Sequence, residues 1–420
     1  MKKIAFLPIE TKNREFDGRL LLASVLLKND FDIVIGSRSS IKREISNYKN
    51  CLLIEKGIAI NPEYKKYYNK LRKNGNKIIL YHPEGGIYTK DINPFIKTVY
   101  SKEILNYVDY IFVYGKKIKE AIINSTSFDS NKIHVVGEIR FDLLKKNLRP
   151  FYHQDITKIK ERHSSDFILF NSSFPLANPA RGKRSWLKYI HEDQSHKTSF
   201  KITLIKKMKN QSNVFPYFID GIKHLSNKSA IKNVIIRPHP SENIVLYNNI
   251  FRDYDNVYVD KSHSVGPWIL SSSLILHHDC TTAIESEISG KNILTYLPFV
   301  DEESTNYLPT KVGKKINSQE EFQSYFSLRE EESFSKISSV TRKEFTSYIW
   351  NFEQKNKSYN RIDKFFKEKS FNVSSSLGHS LLKRFYERLY SDFRLLANRY
   401  VRESYNHKFF SIDKRNIQKR

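Results

Sequence analysis

Short apolar runs alternate with amphipathic stretches along the first 145 residues. Residues 3–7, 31–36, 51–54, 77–81, 110–114 and 134–136 read as buried strands, each closed by turn-forming or polar residues. Between them Phe16, Leu20, Leu21, Leu22, Val25, Leu26 and Leu27 recur at helical spacing, which predicts a helix over 16–28. Further helices are expected at 41–48, 62–75 and 116–123. Such regular alternation predicts an α/β unit with a mostly parallel, doubly wound sheet.

The run Leu148-Arg149-Pro150-Phe151 breaks the pattern and reads as a domain boundary. A second alternation follows, with strands expected at 167–170, 234–236, 257–259, 274–276 and 293–296 and a helix at 216–225. The polar, basic stretch 178–213 is too long for an ordinary loop and reads as either helix or lid. Strand signals fade from about Asn317, and 318–356 read as charged helices. The simplest architecture is two Rossmann-like domains facing a cleft, at 1–150 and 151–316, with a helical C-terminal extension at 317–420. In that extension Leu381, Leu382, Phe385, Tyr386, Leu389, Tyr390, Phe393, Ala397, Tyr400 and Val401 recur at helical spacing. Lys383, Arg384, Arg388, Arg394 and Arg399 lie between them. This is a basic amphipathic pattern with two open readings, a helix packed on the protein or one resting on an anionic membrane surface.

Candidate chemistry gathers where the expected strands end. Arg237-Pro238-His239-Pro240 follows Val234-Ile235-Ile236, and His278-Asp279-Cys280-Thr281-Thr282-Ala283-Ile284-Glu285 follows Leu274-Ile275-Leu276. Ligands of open α/β sheets bind at such carboxyl ends. The second segment also opens a helix, with Thr281 or Thr282 as expected N-cap. Its N-terminal N–H groups and dipole suit a phosphate. Arg237 and His239 add cationic donors, and Glu285, one turn in, could accept the hydroxyls of a ribose. Together the two segments read as a nucleotide-phosphate site that includes Pro240. At the end of the first strand, Glu10 is read as functional, whereas Glu15 and Asp17 suit the first helix's dipole. His82-Pro83-Glu84-Gly85-Gly86 ends the fourth strand, and its glycines allow close backbone approach to a ligand. Glu84 there is a candidate acid, base or nucleophile.

The 420 residues carry a net charge of +26, a field that attracts polyanions and phosphorylated substrates. There is no zinc-finger spacing and no basic region leading into heptads, so nucleic acid is not an expected partner. There is no G-x-G-x-x-G, and the first helix entry is not a dinucleotide fingerprint. Two cysteines, Cys51 and Cys280, exclude a disulfide framework and fit a reducing compartment. His277 and His278 are adjacent on a strand and point to opposite faces, so no metal is expected, and no cofactor. The N-terminal apolar run is broken by Pro8, Glu10 and Lys12, unlike a signal peptide. No run reaches the length of a membrane span. The expectation is a cytoplasmic protein, either soluble or peripheral at the inner face of the membrane.

Pro8-Ile9-Glu10-Thr11-Lys12 with Arg14-Glu15-Phe16-Asp17, Gly137 with Arg140-Phe141-Asp142-Leu143-Leu144, and Leu148-Arg149-Pro150-Phe151-Tyr152 resemble the bacterial surface carbohydrate biosynthesis proteins. These are glycosyltransferase-B-like (GT-B-like) proteins of lipopolysaccharide and capsule loci, and the resemblance spans roughly 1–310. Relatives tend to carry Asp-Glu-Glu-Gly where this chain has His82-Pro83-Glu84-Gly85, so only Glu84 and Gly85 carry over. His239-Pro240 and Thr281-Thr282 are also similar to the His-Pro and Ser/Thr elements of sialyltransferases, Kdo transferases and CDP-glycerol transferases. The resemblance implies a glycosyltransferase with a cytidine-activated donor, CMP-linked keto-sugar before CDP-alditol; no metal is required if Arg237, His239 and the helix dipole stabilise the leaving phosphate, and the expected acceptor is a glycan or lipid-linked glycan. A CDP-alditol phosphotransferase, a nucleotide-sugar epimerase and a non-catalytic basic scaffold are the alternatives.

Overall fold

The computed structural model describes residues 3–58, 61–86, 88–164, 166–180, 182, 187, 198–228, 233–327, 337–369, 371, 376 and 377. The chain forms two compact units, one of Met1–Glu84, Asn93–Leu143 and Thr346–Arg420, the other of Gly85–Ile92 and Leu144–Phe345.

In the first unit the apolar runs become β1 (Lys3–Ile9), β2 (Phe31–Ser37), β4 (Leu52–Glu55), β5 (Lys77–Tyr81), β6 (Tyr110–Val113) and β7 (Ile133–Val135). They form one parallel sheet in the order β2-β1-β4-β5-β6-β7. Strands of a sheet covered on both faces need continuous apolar sequence, and Leu52, Leu53, Ile54, Ile78, Ile79 and Leu80 are indeed buried. The short β3 (Tyr48–Lys49) lies outside that sheet and pairs antiparallel with β14 (Ser376–Leu377). Cys51 is a core thiol.

The second unit repeats the scheme with β8 (Phe167–Asn171), β9 (Asn233–Arg237), β10 (Val257–Val259), β11 (Leu274–His277), β12 (Asn292–Tyr296) and β13 (Lys314–Ile316). Its order is β10-β9-β8-β11-β12-β13, again parallel throughout. One core cluster joins Phe170, Phe218, Val234, Ile236, Leu276 and Tyr296. The strand β13 was not expected, because Lys314 and Lys315 mask its pattern. The helix expected at 216–225 is the end of a much longer one, Thr198–Ser226, which carries Pro216 inside it. Within 178–213 the described part from Thr198 onward is therefore helical.

The segment expected as a separate extension from 317 divides between the units, the first taking it from Thr346 onward. The helix Ser358–Glu368 sets Phe365 edge-on to Phe112 of β6, with ring centroids 4.9 Å apart. Asn351 is fully buried. Its Nδ2 donates to Glu138 O at 2.7 Å and Asp142 Oδ1 at 2.8 Å, while its Oδ1 accepts from Glu138 N at 2.8 Å. Gly137, at φ +89°, fits beneath it; an added Cβ would lie 2.4 Å from Asn351 Oδ1. The amphipathic stretch 381–401 lies outside the described residues.

Candidate functional site

In the second unit β8 is the first strand of its sheet. The chain moves to β9 and β10 on one side of it and then crosses to β11 on the other. The order reverses between β8 and β11, and a crevice opens at such a switch point beyond the strands' carboxyl ends. Arg237 ends β9 opposite Asn171 of β8, and Leu276 of β11 pairs with Phe170 of β8. The two sequence segments thus flank the end of one strand, about 10 Å apart, two inter-strand spacings. This register brings Arg237-Pro238-His239-Pro240 and His278–Thr282 to one end of one sheet.

Between them lie Ser172 and Ser173, which the sequence reading missed. Ser173 Oγ donates to Asp279 Oδ1 at 3.1 Å, tying the β8 loop to the β11 loop. Asp279 Oδ2 accepts from Asn306 N at 3.0 Å. Ser172 Oγ donates to Glu242 Oε2 at 2.6 Å, Tyr247 Oη donates to the same atom at 2.7 Å, and Phe174 N donates to Glu242 Oε1 at 2.7 Å. Glu242 is buried, and burial pushes its carboxyl up to about 7 against these hydrogen bonds. Because Glu242 N also donates to His239 O at 2.8 Å, this carboxyl fastens the β8 loop to the His239-Pro240 turn.

Arg237 is buried, and its Nη2 donates to His263 O at 3.1 Å. His239 Nδ1 accepts from Ser241 N at 3.2 Å, so the neutral ring carries its proton on Nε2. Pro240 is half-buried in the same turn. Thr281 holds the N-cap position of the helix Thr282–Ser289, but its side chain makes no capping bond. The expected hydroxyl cap is therefore absent: Thr281 itself has helical φ and ψ, so its side chain is not aimed at the next N–H groups. Gly86 packs on this helix start; a Cβ there, at φ +85°, would lie 2.7 Å from Ile284 Cδ1. Glu285 is 1% exposed. The expected ribose contact is not open at the surface, because the helix turns this carboxylate inward.

The adjacent histidines have different partners. His277 Nε2 meets Thr295 Oγ1 at 2.8 Å, whose hydroxyl donates onward to Val312 O at 2.6 Å. His277 therefore donates through Nε2, and burial holds its ring neutral by lowering its pKa to about 3. His278 Nδ1 meets Tyr296 O at 3.1 Å instead.

In the first unit the switch point falls between β1 and β4. Glu10 follows β1 and Lys56 follows β4, and Lys56 Nζ lies 2.8 Å from both Glu10 Oε2 and Glu15 Oε1. Glu15 also accepts from the N–H groups of Glu10 and Thr11 at 3.1 and 3.2 Å, closing the start of helix α1 (Lys12–Leu27). It is a structural cap, whereas the Glu10 side chain is 42% exposed. Glu84, just beyond β5, is half-buried and ion-paired with Arg14 of α1. Its N–H donates to His82 Nδ1 at 3.3 Å, which shapes the turn. Glu10 and Glu84 thus follow β1 and β5, the strands on either side of β4, and each is matched to a cation.

Neither a protein-family model nor a curated protein matches the sequence. Solved structures do match the fold. The wall teichoic acid polymerase TagF superposes with a TM-score of 0.53 at 13% identity, over 87% of this chain and 88% of that one. The same polymerase soaked with CDPG gives 0.51 at 12% identity over 87% and 88%. The UDP-GlcNAc 2-epimerase of Methanocaldococcus jannaschii in complex with UDP-GlcNAc and UDP gives 0.50 at 13% identity, over 88% of this chain and 100% of that one. The two parallel six-stranded sheets with flanking helices are GT-B-like, as the sequence led us to expect.

Proposed function

We propose that the chain is a glycosyltransferase of bacterial surface-polysaccharide assembly, in lipopolysaccharide or capsule biosynthesis. The observation that carries this reading is the flanking of β8's carboxyl end by Arg237 and His239 on one side and by the Thr282–Ser289 helix start on the other. In this reading a nucleotide-sugar donor, CMP-linked keto-sugar before CDP-linked, sets its phosphate there. Arg237, His239 and the helix dipole stabilise the negative charge that grows on the departing phosphate, without a metal. Pro240 shapes the turn, Thr281 and Thr282 supply hydroxyls, and Glu285 meets the ribose if the ligand draws it out. The N-terminal unit binds a glycan or lipid-linked glycan acceptor and supplies Glu84 or Glu10 as base or nucleophile. The enzyme works in the cytoplasm, at the inner face of the membrane.

TagF soaked with CDPG favours a second reading, a CDP-alditol phosphotransferase, and the epimerase structure a third with a uridine nucleotide. Calorimetry with CMP, CDP and UDP on wild type and His239→Ala separates them. CMP or CDP binding that weakens by about 1–3 kcal/mol in the variant, the scale of a charge-assisted hydrogen bond, is expected. Preferred UDP binding favours the epimerase reading. No nucleotide binding at all leaves the scaffold.

A further inference from the structure

A second constellation of cations lies wholly within the N-terminal unit. Arg14 and Arg19 of α1 and Arg140, just beyond β7, line one small pocket that is partly open to solvent. Gly18 permits the close packing: its Cβ position lies 3.1 Å from Arg140 Cβ. Arg19 is 5% exposed, and its Nη1 and Nη2 are buried with no hydrogen-bond partner among the described residues.

A buried guanidinium is tolerated when carboxylates and acceptors surround it. The carboxylates here are largely committed elsewhere. Glu15 closes α1 and holds Lys56. Glu84 is paired with Arg14. Glu138 Oε1 accepts from Arg140 N at 3.0 Å and lies in the field of both Arg140 and Arg19, yet burial outweighs them and pushes its carboxyl up, which weakens it as a counter-ion. Three guanidinium groups therefore line the pocket, with two donors of one of them unused. The two terminal nitrogens of an arginine match two oxygens of a carboxylate or phosphate.

We propose that this pocket binds an oxyanion, the phosphate or carboxylate of an acidic acceptor, with Arg19 as its bidentate donor and Arg14 and Arg140 as flanking charges. The assignment to an acceptor rests on the glycosyltransferase reading; oxyanion binding does not. Because Arg14 also holds Glu84, an occupied pocket sets the position of that carboxylate.

The test is calorimetric titration of the full-length chain with inorganic phosphate and, separately, with acetate, on wild type, Arg19→Met and His239→Ala. Wild type should bind at least one of them, and preference between the two identifies the group. Arg19→Met should abolish or weaken one binding component by about tenfold or more, and His239→Ala should leave that Arg19-dependent component unchanged. Arg19→Lys, which keeps the charge and loses the fork, should weaken it too. Without added anion, Arg19→Met should melt at or above the wild-type temperature, because a buried guanidinium with two unused donors has gone. A wild type that ignores both anions, or an Arg19→Met that binds as wild type does, overturns the proposal, as does a variant that melts well below wild type. Loss of phosphate binding in His239→Ala alone also overturns it, while supporting the nucleotide site. Loss of nucleotide binding with Arg19-dependent phosphate binding intact sinks the glycosyltransferase reading instead.

Discussion

Glu242 should make the second unit less stable as pH rises from about 4.5 to about 7. Its carboxyl is buried and its pKa is lifted from 4.5 to about 7. The folded state then holds a proton that the unfolded chain releases above pH 4.5. Stability falls wherever the folded state binds more protons, so it is full below pH 4.5 and declines up to about pH 7. At about 1.4 kcal/mol per pH unit, that rise is worth about 3 kcal/mol, an upper figure for one desolvated group. Glu242→Gln keeps the shape and an acceptor for Phe174 N, while its amide can donate to the Ser172 and Tyr247 hydroxyls. The variant should lose the pH term and little else. Urea unfolding of both proteins at pH 5 and pH 7.5, followed by hydrogen exchange in β8 and β9, cancels the other titrating groups in the double difference. Relative to wild type, Glu242→Gln should gain about 2–3 kcal/mol between the two pH values. An identical pH dependence in both proteins would refute the reasoning, and Glu242 would then be ionised in the fold. Because Glu242 braces the His239 turn, nucleotide affinity should follow the same network: a Ser172→Ala variant is the natural companion.

Two further outcomes follow from the proposed function. Glu84→Gln preserves the shape of the turn and removes the charge facing Arg14; turnover should fall by about two orders of magnitude or more with nucleotide affinity nearly intact, and a variant with near wild-type transfer moves the role to Glu10. For the sequence 381–401, co-sedimentation with anionic liposomes should weaken as salt rises, since each Lys or Arg near such a surface contributes about 1 kcal/mol; deleting 378–420 should abolish it, and a full-length chain that ignores liposomes removes the membrane contact.

Strand and helix identity was legible in the sequence because it depends on local periodicity. The run Val234-Ile235-Ile236 is apolar on both faces wherever it sits, and the turn residues after it mark its end. The same locality made Arg237, His239 and Thr281 visible as strand-end chemistry. It also suggested capping for Glu15, which the bonds to Glu10 N and Thr11 N supply. What periodicity lacks is neighbour identity. That β9 and β11 flank β8, rather than each other, follows from long-range pairing and decides which strand ends share a crevice. Glu242 reads as an ordinary loop carboxylate until Ser172, seventy residues earlier, is brought against it. Burial of Glu285 came from packing, which the dipole argument for a helix start cannot supply. Arg19 carried a faint signal: it lies three residues after Phe16, on the apolar stripe of α1, where a charge is out of place. Only the fold, by setting Arg140 against Gly18, turned that misplaced charge into the wall of a pocket. Local sequence chooses elements because their hydrogen bonds close within a few residues. Sites arise where elements meet, and that geometry belongs to the whole chain.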